Sequence, residues 1–454
     1  MNTPGGANTM SKLSRRRLLQ GSALAGGGLL LRGAGSPLTY AAPARQSGEP
    51  VKLRLQNWFS DSDMQDWQIG LDMVKTMYPN IEIALEFAPY EDTVTRTLTA
   101  ATAGDLPDLI MCSTDHTPSL VTSAVLADLN AYIEEAGDVD PDEFAPGVAQ
   151  GFHMWDRWRG FPYDVSTFGI YYNKDMFDAA GVAYPPAHGE TPWTWEQFIE
   201  AAKSLTKPNG EQWGVWWENP PTNQYLASNF IYSAGGRNFD DELRKCIIHS
   251  EEAAAGLQFM VDLIHTHKVA PTPAETAGGD INYFESGLCA MMLNGQWALG
   301  QTTRGVDFPF DISYLPLHTE KRVVTGGSGF AMSATTAHPE EAWQWLRAFT
   351  STEVLAAMIG ATGRGIPARL SATQSYIDSA ATPNAAIFVE QLDYSFNDRS
   401  VLGFPEFVDS YTRNLDPIFN NGQGSILDAL ATVEADANTV LDEKWEDVKI
   451  DIEE

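Results

Sequence analysis

Hydrophobic residues near position 50 follow two different periods in succession. They alternate with polar residues over 51–55, which predicts a half-buried strand. They then recur three or four positions apart over 64–74, which predicts an amphipathic helix that ends before the Pro79-Asn80 pair. Alternation returns over 81–87. Strand, helix and strand joined by short connections form a βαβ unit, so this segment predicts a parallel sheet.

The same alternation of strands and helices continues to the end of the chain. The predicted elements are a helix over 91–103, a buried strand over 106–112, a helix over 118–133, a strand over 169–172, a helix opened by a capping box at 194–197, a helix over 250–267, a helix from Pro339 and a long helix over 425–445. This order predicts an α/β protein. Because 454 residues exceed the size at which one hydrophobic core stops growing, we expect two lobes.

The chain is strongly acidic. It carries 60 Asp and Glu against 29 Lys and Arg, a formal net charge of −31. Such a charge repels nucleic acid and anionic membrane surfaces, so neither is expected as a partner. The acidity is typical of a well-hydrated surface and does not by itself indicate a cationic ligand.

The first 45 residues have the three parts of an export signal. Residues 14–20 match the twin-arginine pattern, and an apolar, glycine-rich stretch follows over 18–31. Small residues at 42–44 supply a cleavage site, and no Cys lies near it, so we expect no lipid anchor. The sequence thus predicts a Tat-type signal peptide over 1–45. We expect the protein to work in the periplasm or at the extracellular face of the membrane.

Local motifs for catalysis and metal binding are missing from the sequence. There is no P-loop, no G-x-S-x-G and no H-E-x-x-H. His265 and His267 stand two apart on a predicted helix and so face different sides. The segment 61–63 lacks the rest of a calcium loop and is better explained as a helix cap. We therefore expect no catalytic residue, no metal and no cofactor. The cysteines, few and odd in number, are expected to be buried free thiols at Cys112, Cys246 and Cys289.

Tryptophan is abundant and often lies near turns. The chain has 13 Trp, and several stand beside Gly, Pro or Asn, namely Trp58, Trp213, Trp216, Trp217 and Trp297. Sugar rings stack their C–H faces on aromatic planes, while their hydroxyls need oriented carboxylates and amides. Ordinary core packing also accounts for any one of these residues, so only a position within a motif singles one out.

Six blocks of sequence, taken in order, resemble one known family. They lie at 107–129, 160–175, 192–198, 284–297, 326–330 and 363–369. Each block is weak alone, whereas their order and spacing over roughly 51–445 are specific. On these blocks the chain is identified as a member of the extracellular solute-binding protein family 1, which includes maltose-binding and other sugar-binding proteins.

The resemblance implies a two-lobed, type II periplasmic-binding-protein-like fold. Each lobe would be a sheet flanked by helices, and three segments near 164–168, 326–334 and 365–370 would cross between the lobes. The implied boundaries are 50–164 plus 328–366 for lobe one, and 165–327 plus 367–454 for lobe two. A ligand would be captured in the cleft by lobe closure, without covalent chemistry. The implied partner is the membrane permease of an ABC importer, and the implied state is a monomer.

The resemblance also implies a set of ligand-binding residues. They are Trp58, Asp61, Asp115, Tyr163, Asp164, Tyr225, Trp297, Gly327, Arg364 and Tyr411. Two of them have plain alternatives, because Asp115 could cap the helix before Pro118 and Arg364 could form a structural ion pair. Cys112 and His116 depart from the pattern of some relatives, which weakens a specific expectation of maltose.

Three other functions stay open at this point. The first is a binder of another small solute, such as a polyol phosphate, a peptide or a metal chelate. Basic residues are scarce near the motif positions, which disfavours an anion. The second is a secreted carbohydrate-active enzyme, which would need two carboxylates flanking one bond. The third is a surface adhesion protein.

Overall fold

Two β-sheets organise the part of the chain that the computed structural model describes, residues 50–59, 64–217, 223–276 and 282–453. Within these ranges the strands are β1 (Val51–Asn57), β2 (Ile81–Phe87), β3 (Leu109–Ser113), β4 (His153–Met154), β5 (Arg157–Trp158), β6 (Phe161–Pro162), β7 (Asp164–Val165), β8 (Phe168–Asn173), β9 (Trp213–Trp217), β10 (Cys289–Gly295), β11 (Phe310–Ser313), β12 (Val323–Val324), β13 (Ser328–Met332), β14 (Ile366–Pro367) and β15 (Ser395–Phe396).

Helices separate most of the strands. They are α1 (Met64–Met77), α2 (Thr93–Ala103), α3 (Thr117–Thr122), α4 (Asn130–Ala136), α5 (Pro146–Phe152), α6 (Lys174–Ala180), α7 (Trp195–Leu205), α8 (Gln224–Ser233), α9 (Glu251–His265), α10 (Pro273–Thr276), α11 (Ala298–Gly305), α12 (Pro339–Phe349), α13 (Thr352–Leu355), α14 (Thr373–Ser379), α15 (Ala386–Glu390), α16 (Phe404–Asn421) and α17 (Ile426–Glu453). None of the described helices is both long and apolar enough to cross a membrane.

The first sheet has the strand order β2-β1-β3-β13-β6. Strand β1 pairs in parallel with β2 along its whole length, from Val51 opposite Ile81 to Asn57 opposite Phe87. It also pairs in parallel with β3, while β13 and β6 close the sheet in antiparallel order. The predicted βαβ unit is thus confirmed. Its alternating residues Leu53 and Leu55 are fully buried, as the period of two requires.

The second sheet has the order β11-β8-β10-β9, with β10 antiparallel to β8 and parallel to β9. Both faces are covered, so β8 is buried at every position. Alternate residues enter different hydrophobic clusters, because successive side chains of a strand point to opposite faces. Tyr171 belongs to the cluster that continues onto the first sheet, whereas Ile170 and Tyr172 belong to the other.

Three segments run side by side between the sheets. Strand β7 pairs antiparallel with β14, placing Asp164 opposite Pro367. Ser166 pairs with Gly326, and its N–H donates to the Gly326 carbonyl at 2.9 Å. The predicted crossings include these residues. The exact lobe boundaries, 50–164 plus 328–366 and 165–327 plus 367–454, stay a prediction.

Most local signals are confirmed. The Thr194 hydroxyl accepts from the Gln197 N–H while the Gln197 side chain accepts from the Thr194 N–H, which completes the capping box. Helix α12 begins at Pro339, and α9 begins after the Ser250 cap. The three cysteines are buried and free. The predicted cap at 61–63 lies outside the described residues.

The predicted helix over 118–133 is wrong. The chain forms two short helices there, α3 and α4, and Ala124 between them has a φ of 53°. Beyond that turn the Ala127 N–H donates to the Met332 carbonyl at 2.9 Å. The backbone extends to bond the end of β13, so a tertiary hydrogen bond overrides the helical spacing of the apolar residues. Helix α16 was missed, and α17 runs on past the predicted 445 to Glu453.

Candidate functional site

A cavity of about 380 Å³ lies where the two sheets face each other. We call it the proximal cavity. Predicted ligand-binding residues on its wall are Trp58, Tyr163, Asp164, Tyr225, Trp297, Gly327 and Arg364. Wall residues that sequence reasoning missed are Tyr90, Ser113, Ser166, Ser328 and Arg399. The cavity is within the range of roughly 300–1,000 Å³ that small-molecule sites occupy.

Residues at or just beyond the ends of parallel strands form one side of this wall. Trp58 follows the carboxyl end of β1, Tyr90 follows β2, and Ser113 is the last residue of β3. The carboxyl ends of parallel strands meet at one edge of a sheet, where α/β proteins bind ligands. The Trp58 and Tyr90 rings meet edge to face, with centroids 5.2 Å apart. The positions of Tyr90 and Ser113 at the carboxyl ends of predicted strands could therefore have identified both residues from the sequence as candidates for the site.

Aromatic rings from segments that follow strands of the second sheet form the opposite side of the wall. Tyr225 lies in the first turn of α8, and Trp297 immediately precedes α11. Their rings are nearly parallel, 14° apart, with centroids separated by 6.1 Å. Phe168 meets both rings edge to face at 4.7 and 5.2 Å and so fixes their orientation. The wall presents flat apolar faces of the kind that stack on sugar rings.

Trp297 is the most accessible of these rings, with 39% of its surface exposed. Its indole folds back over the end of β10. A Cβ at Gly295 would collide with the indole ring, so this fold of the side chain requires glycine at that position. An exposed indole held by backbone packing is a preformed apolar surface.

The crossing segments place polar groups at the floor of the cavity. The Asp164 carboxylate accepts from the Ser328 N–H at 2.7 Å. Burial raises the pKa of Asp164 to about 6, against the lowering effects of that N–H and of the nearby Arg364 charge. The Tyr163 N–H donates to the Ser328 carbonyl at 2.9 Å, so backbone pairing fixes both residues.

Gly327 lies very close to the backbone of another crossing segment. A Cβ at this position would collide with the Asp164 carbonyl oxygen. Glycine is therefore required so that two crossing segments can lie against each other. The Gly327 backbone still reaches the cavity wall.

A buried ion pair supports the wall where sequence reasoning expected a ligand contact. Asp115 is 8% exposed and is absent from the proximal wall. Its carboxylate accepts from Arg399 Nη2 at 2.9 Å, from the Tyr90 hydroxyl at 3.0 Å and from the Ser113 hydroxyl. Burial alone would raise the pKa of Asp115, but these partners, Arg399 foremost, hold it at about 2. The carboxylate is thus an ionised support for Arg399, not a helix cap.

Arg399, and not the predicted Asp115, lines the cavity wall. Its guanidinium lies 4.1 Å from the centre of the Tyr225 ring, a cation–π contact. Its Nε atom is buried without a hydrogen-bond partner in the described part of the chain. No local motif marks Arg399. Its partner is 284 positions away, so only the fold reveals the role.

Like Asp115, the predicted residue Tyr411 does not line the cavity. Tyr411 is fully buried on the apolar face of α16, and its ring centroid lies 6.0 Å from that of Phe407. The expectation of a stacking role for Tyr411 is thus corrected, because core packing takes up its ring. Asp61 lies outside the described residues. Within the described ranges, no group of three or more His, Cys, Asp or Glu side chains is placed to hold a metal ion.

Known proteins share this architecture. An ABC substrate-binding protein of Listeria monocytogenes in complex with cycloalternan superposes with a TM-score of 0.78 at 24% identity, covering 86% of this chain and 99% of that one. UgpB of Mycobacterium tuberculosis, in complex with glycerophosphocholine, gives a TM-score of 0.74 at 20% identity, covering 87% and 99%. The fold is therefore the two-lobed, type II periplasmic-binding-protein-like fold, with three crossing segments between sheets flanked by helices.

Sequence comparison identifies the family. The arabinooligosaccharide-binding protein of Halalkalibacterium halodurans is 27% identical over 283 residues, which cover 59% of this chain and 59% of that protein. The match thus spans less than two thirds of that relative's length. The sequence profile described as bacterial extracellular solute-binding protein matches residues 72–356. The chain belongs to this family of bacterial extracellular solute-binding proteins.

Proposed function

We propose that this protein is the exported substrate-binding component of an ABC importer and that it captures a carbohydrate between its lobes. The observation that carries the proposal is the proximal cavity, where the stacked pair Tyr225 and Trp297 stands above oriented polar groups. Aromatic faces bind the C–H faces of a sugar ring, and the polar groups bind its hydroxyls. Two proteins similar to this chain support the choice, namely an arabinooligosaccharide-binding protein and a substrate-binding protein in complex with cycloalternan.

Capture by lobe closure is proposed because the residues of the cavity wall come from both sheets. Trp58, Tyr90 and Ser113 come from elements of the first sheet, whereas Tyr225 and Trp297 come from elements of the second. A ligand that contacts both groups binds the closed state more tightly than the open one, and this difference in affinity drives closure. The closed form then docks, as a monomer, on the membrane permease. Export through the Tat route rests on the twin-arginine pattern at 14–20.

We propose binding without turnover. Glycoside hydrolysis ordinarily uses two carboxylates on opposite sides of one bond. Among the described residues, Asp164 is the single carboxylate on the proximal wall, because Asp115 is engaged in the Arg399 ion pair.

A polyol phosphate is the second candidate ligand. Two guanidinium groups, those of Arg364 and Arg399, reach the wall, although basic residues are scarce near the motif positions of the sequence. Arginine suits phosphate oxygens, and UgpB provides a fold relative in complex with glycerophosphocholine. The Asp115 carboxylate already balances the Arg399 charge at 2.9 Å, which favours the neutral saccharide over an anion.

A ligand screen tests the proposal. Thermal shift and calorimetry would be run with neutral mono-, di- and trisaccharides, glycerophosphocholine and short peptides. We expect stoichiometric binding of a saccharide, recovery of that saccharide unchanged, and a smaller radius of gyration on binding. Stabilisation by glycerophosphocholine or a peptide alone would contradict the carbohydrate proposal, and release of cleaved products would contradict binding without turnover.

A further inference from the structure

A cavity of about 410 Å³ lies away from the ligand cleft. We call it the arginine cavity, and its wall includes Leu126, Trp155, Arg157, Arg159 and Val448, none of which lines the proximal cavity. Leu126 pairs with Ser333 just beyond the end of β13, whereas Ser328 at the start of that strand lies on the proximal wall. Five residues of strand separate the two positions, which places them roughly 16 Å apart. The arginine cavity is therefore a different place from the proposed ligand site.

The wall of the arginine cavity joins two distant parts of the chain. Trp155 and Arg157 belong to the hairpin of β4 and β5, whereas Val448 lies on α17, which packs on α9 and α16. The Trp155 ring meets the ring of Trp445 on α17 edge to face, with centroids 6.0 Å apart. The Arg244 guanidinium lies 3.9 Å from the centre of the Trp445 ring. These contacts hold α17 against the hairpin, so the cavity is preformed.

The cavity is basic within an acidic protein. Arg157 and Arg159 both line it, and the Asp128 carboxylate attracts both charges. Arg157 Nε lies 3.6 Å from Asp128 Oδ2, in a pair whose side chains are 58% and 39% exposed. An exposed pair at that distance is weak. Two guanidinium groups thus share one carboxylate, in a chain whose formal net charge is −31.

Arg159 is the less compensated of the two arginines. A guanidinium group carries several N–H donors. The contact that Arg159 makes within the described chain runs from Nη1 to the Leu126 carbonyl at 3.5 Å, which is long for a hydrogen bond. Its Nε atom is buried without a partner among the described residues. Burial lowers the pKa of Arg159, and the like charge of Arg157 lowers it further, against the attraction of Asp128. The wall therefore favours an occupant that brings a negative charge.

The rest of the wall is apolar. Val121, Leu126 and Val448 are buried, and Trp155 lines the same space. The volume of about 410 Å³ is within the range of roughly 300–1,000 Å³ that small-molecule sites occupy. Arginine pairs with carboxylates and phosphates through two parallel hydrogen bonds. The wall thus combines partners for an oxyanion with a surface for an apolar group.

We propose that the arginine cavity binds a small organic anion, whose phosphate or carboxylate group pairs with Arg159 and Arg157 and whose apolar part contacts Leu126, Trp155 and Val448. This site is separate from the carbohydrate site of the proposed function and does not depend on it. A bound anion links the hairpin of β4 and β5 to α17, because the wall takes residues from both. Binding should therefore also raise the melting temperature of the protein.

Calorimetry with matched probes tests the chemistry of the site. The probes are phenyl phosphate and benzoate, which carry an anion on an aromatic ring, inorganic phosphate, which lacks the ring, and benzyl alcohol, which lacks the charge. We expect the wild-type protein to bind one equivalent of phenyl phosphate or benzoate, and the stronger of the two identifies the oxyanion. Inorganic phosphate and benzyl alcohol should bind about tenfold more weakly or less. Equal affinity for inorganic phosphate would overturn the organic ligand, and equal affinity for benzyl alcohol would overturn the pairing with arginine.

Variants at the wall test its position. Arg159→Gln is expected to weaken binding of the organic anion about tenfold or more, because it removes the less compensated guanidinium. Arg157→Gln changes an exposed residue and carries the test if Arg159→Gln does not fold, with about a threefold to tenfold loss. Arg413→Gln is the matched control and should keep the wild-type affinity, since Arg413 is 65% exposed and lines neither cavity.

Arg364→Gln shows whether the anion binds in the ligand cleft instead, because Arg364 lines the proximal cavity. A loss of anion binding in Arg364→Gln with none in Arg159→Gln would place the anion in that cleft and overturn the inference. The absence of anion binding by the wild-type protein would also overturn it, as would an equal loss in Arg159→Gln and Arg413→Gln. None of these results would affect the carbohydrate proposal, which the saccharide screen tests separately.

Discussion

Arg399 Nη2 lies 2.9 Å from Asp115 Oδ2, although 284 positions separate the two residues. Both side chains are largely buried, at 13% and 10% exposure. Asp115 follows a strand of the first sheet, and Arg399 follows β15, which pairs with β12 beside the second crossing segment. The pair therefore joins distant parts of the chain at the wall of the proximal cavity, which Arg399 lines and Asp115 does not.

Removing one member of this pair is expected to destabilise the fold. Arg399→Met leaves the Asp115 carboxylate buried without its charge partner, which costs about 3–5 kcal/mol. The double variant Asp115→Asn with Arg399→Met should recover much of that loss, because no uncompensated charge remains. Chemical denaturation measures both values.

The surface pair Arg413–Asp436 provides the matched control. Its atoms are 3.0 Å apart, but the side chains are 65% and 43% exposed. Arg413→Met should change the free energy of unfolding by about 0–1 kcal/mol. Equal losses in the free energy of unfolding for Arg399→Met and Arg413→Met would show that the buried pair does not stabilise the cavity wall.

Trp297→Ala is expected to weaken ligand binding by about 1–3 kcal/mol, because it removes the exposed stacking surface of the proximal cavity. Calorimetry with the saccharide found in the screen gives the value. Phe87→Ala is the control, since Phe87 is 56% exposed and does not line the proximal cavity. A similar affinity for the wild-type protein and Trp297→Ala would contradict the stacking role.

Affinity is expected to fall as the pH drops through about 6, where Asp164 becomes protonated. In the proposed site, ionised Asp164 accepts hydrogen bonds from ligand hydroxyls. Protonation turns one of its oxygens into a donor and weakens the acceptance of hydrogen bonds by the carboxyl group. Asp164→Asn should abolish this pH dependence between pH 5 and 7. The folding stability of the ligand-free protein is expected to change with pH in the opposite direction. A raised carboxyl pKa contributes stability that is fully present below the unfolded value of about 4 and is lost as the pH rises through about 6.

Tyr411→Phe is expected to leave ligand affinity unchanged. The hydroxyl of Tyr411 is buried without a hydrogen-bond partner in the described part of the chain. Its removal should alter the free energy of unfolding by about 0–1 kcal/mol, in the stabilising direction. Tyr225→Ala, on the cavity wall, is the contrasting variant and should weaken binding. A clear loss of affinity in Tyr411→Phe would show that Tyr411 contributes to ligand binding.

Replacing Arg15, Arg16 and Arg17 together by lysine is expected to block export, because the Tat route requires the paired arginines. The measurement is the fraction of protein outside the cytoplasm in a Tat-competent host, compared with Lys12→Gln as the control. Undiminished export of the triple lysine variant would contradict the Tat prediction.

Much of the fold was predictable because local periodicity reflects burial. The strands β1 and β2, the capping box at Thr194 and the start of α12 at Pro339 each depend on neighbours within a few positions. The break at Ala124 was not predictable, since the Met332 carbonyl that captures the Ala127 N–H is 205 positions away. The candidate site divides in the same way. Trp297 lies in a recognisable block and Trp58 follows the first predicted strand, whereas Arg399 lies in no block.

The sequence by itself determined the family, the α/β class and the aromatic positions that reach the cleft, because periodicity and motif order are properties of neighbouring residues. The tertiary structure decided what stands at the wall. In the folded protein Asp115 forms an ion pair, Arg399 lines the cavity and Tyr411 is buried in the core. Those outcomes depend on which distant segments meet when the two sheets face each other, and no local pattern encodes such a meeting.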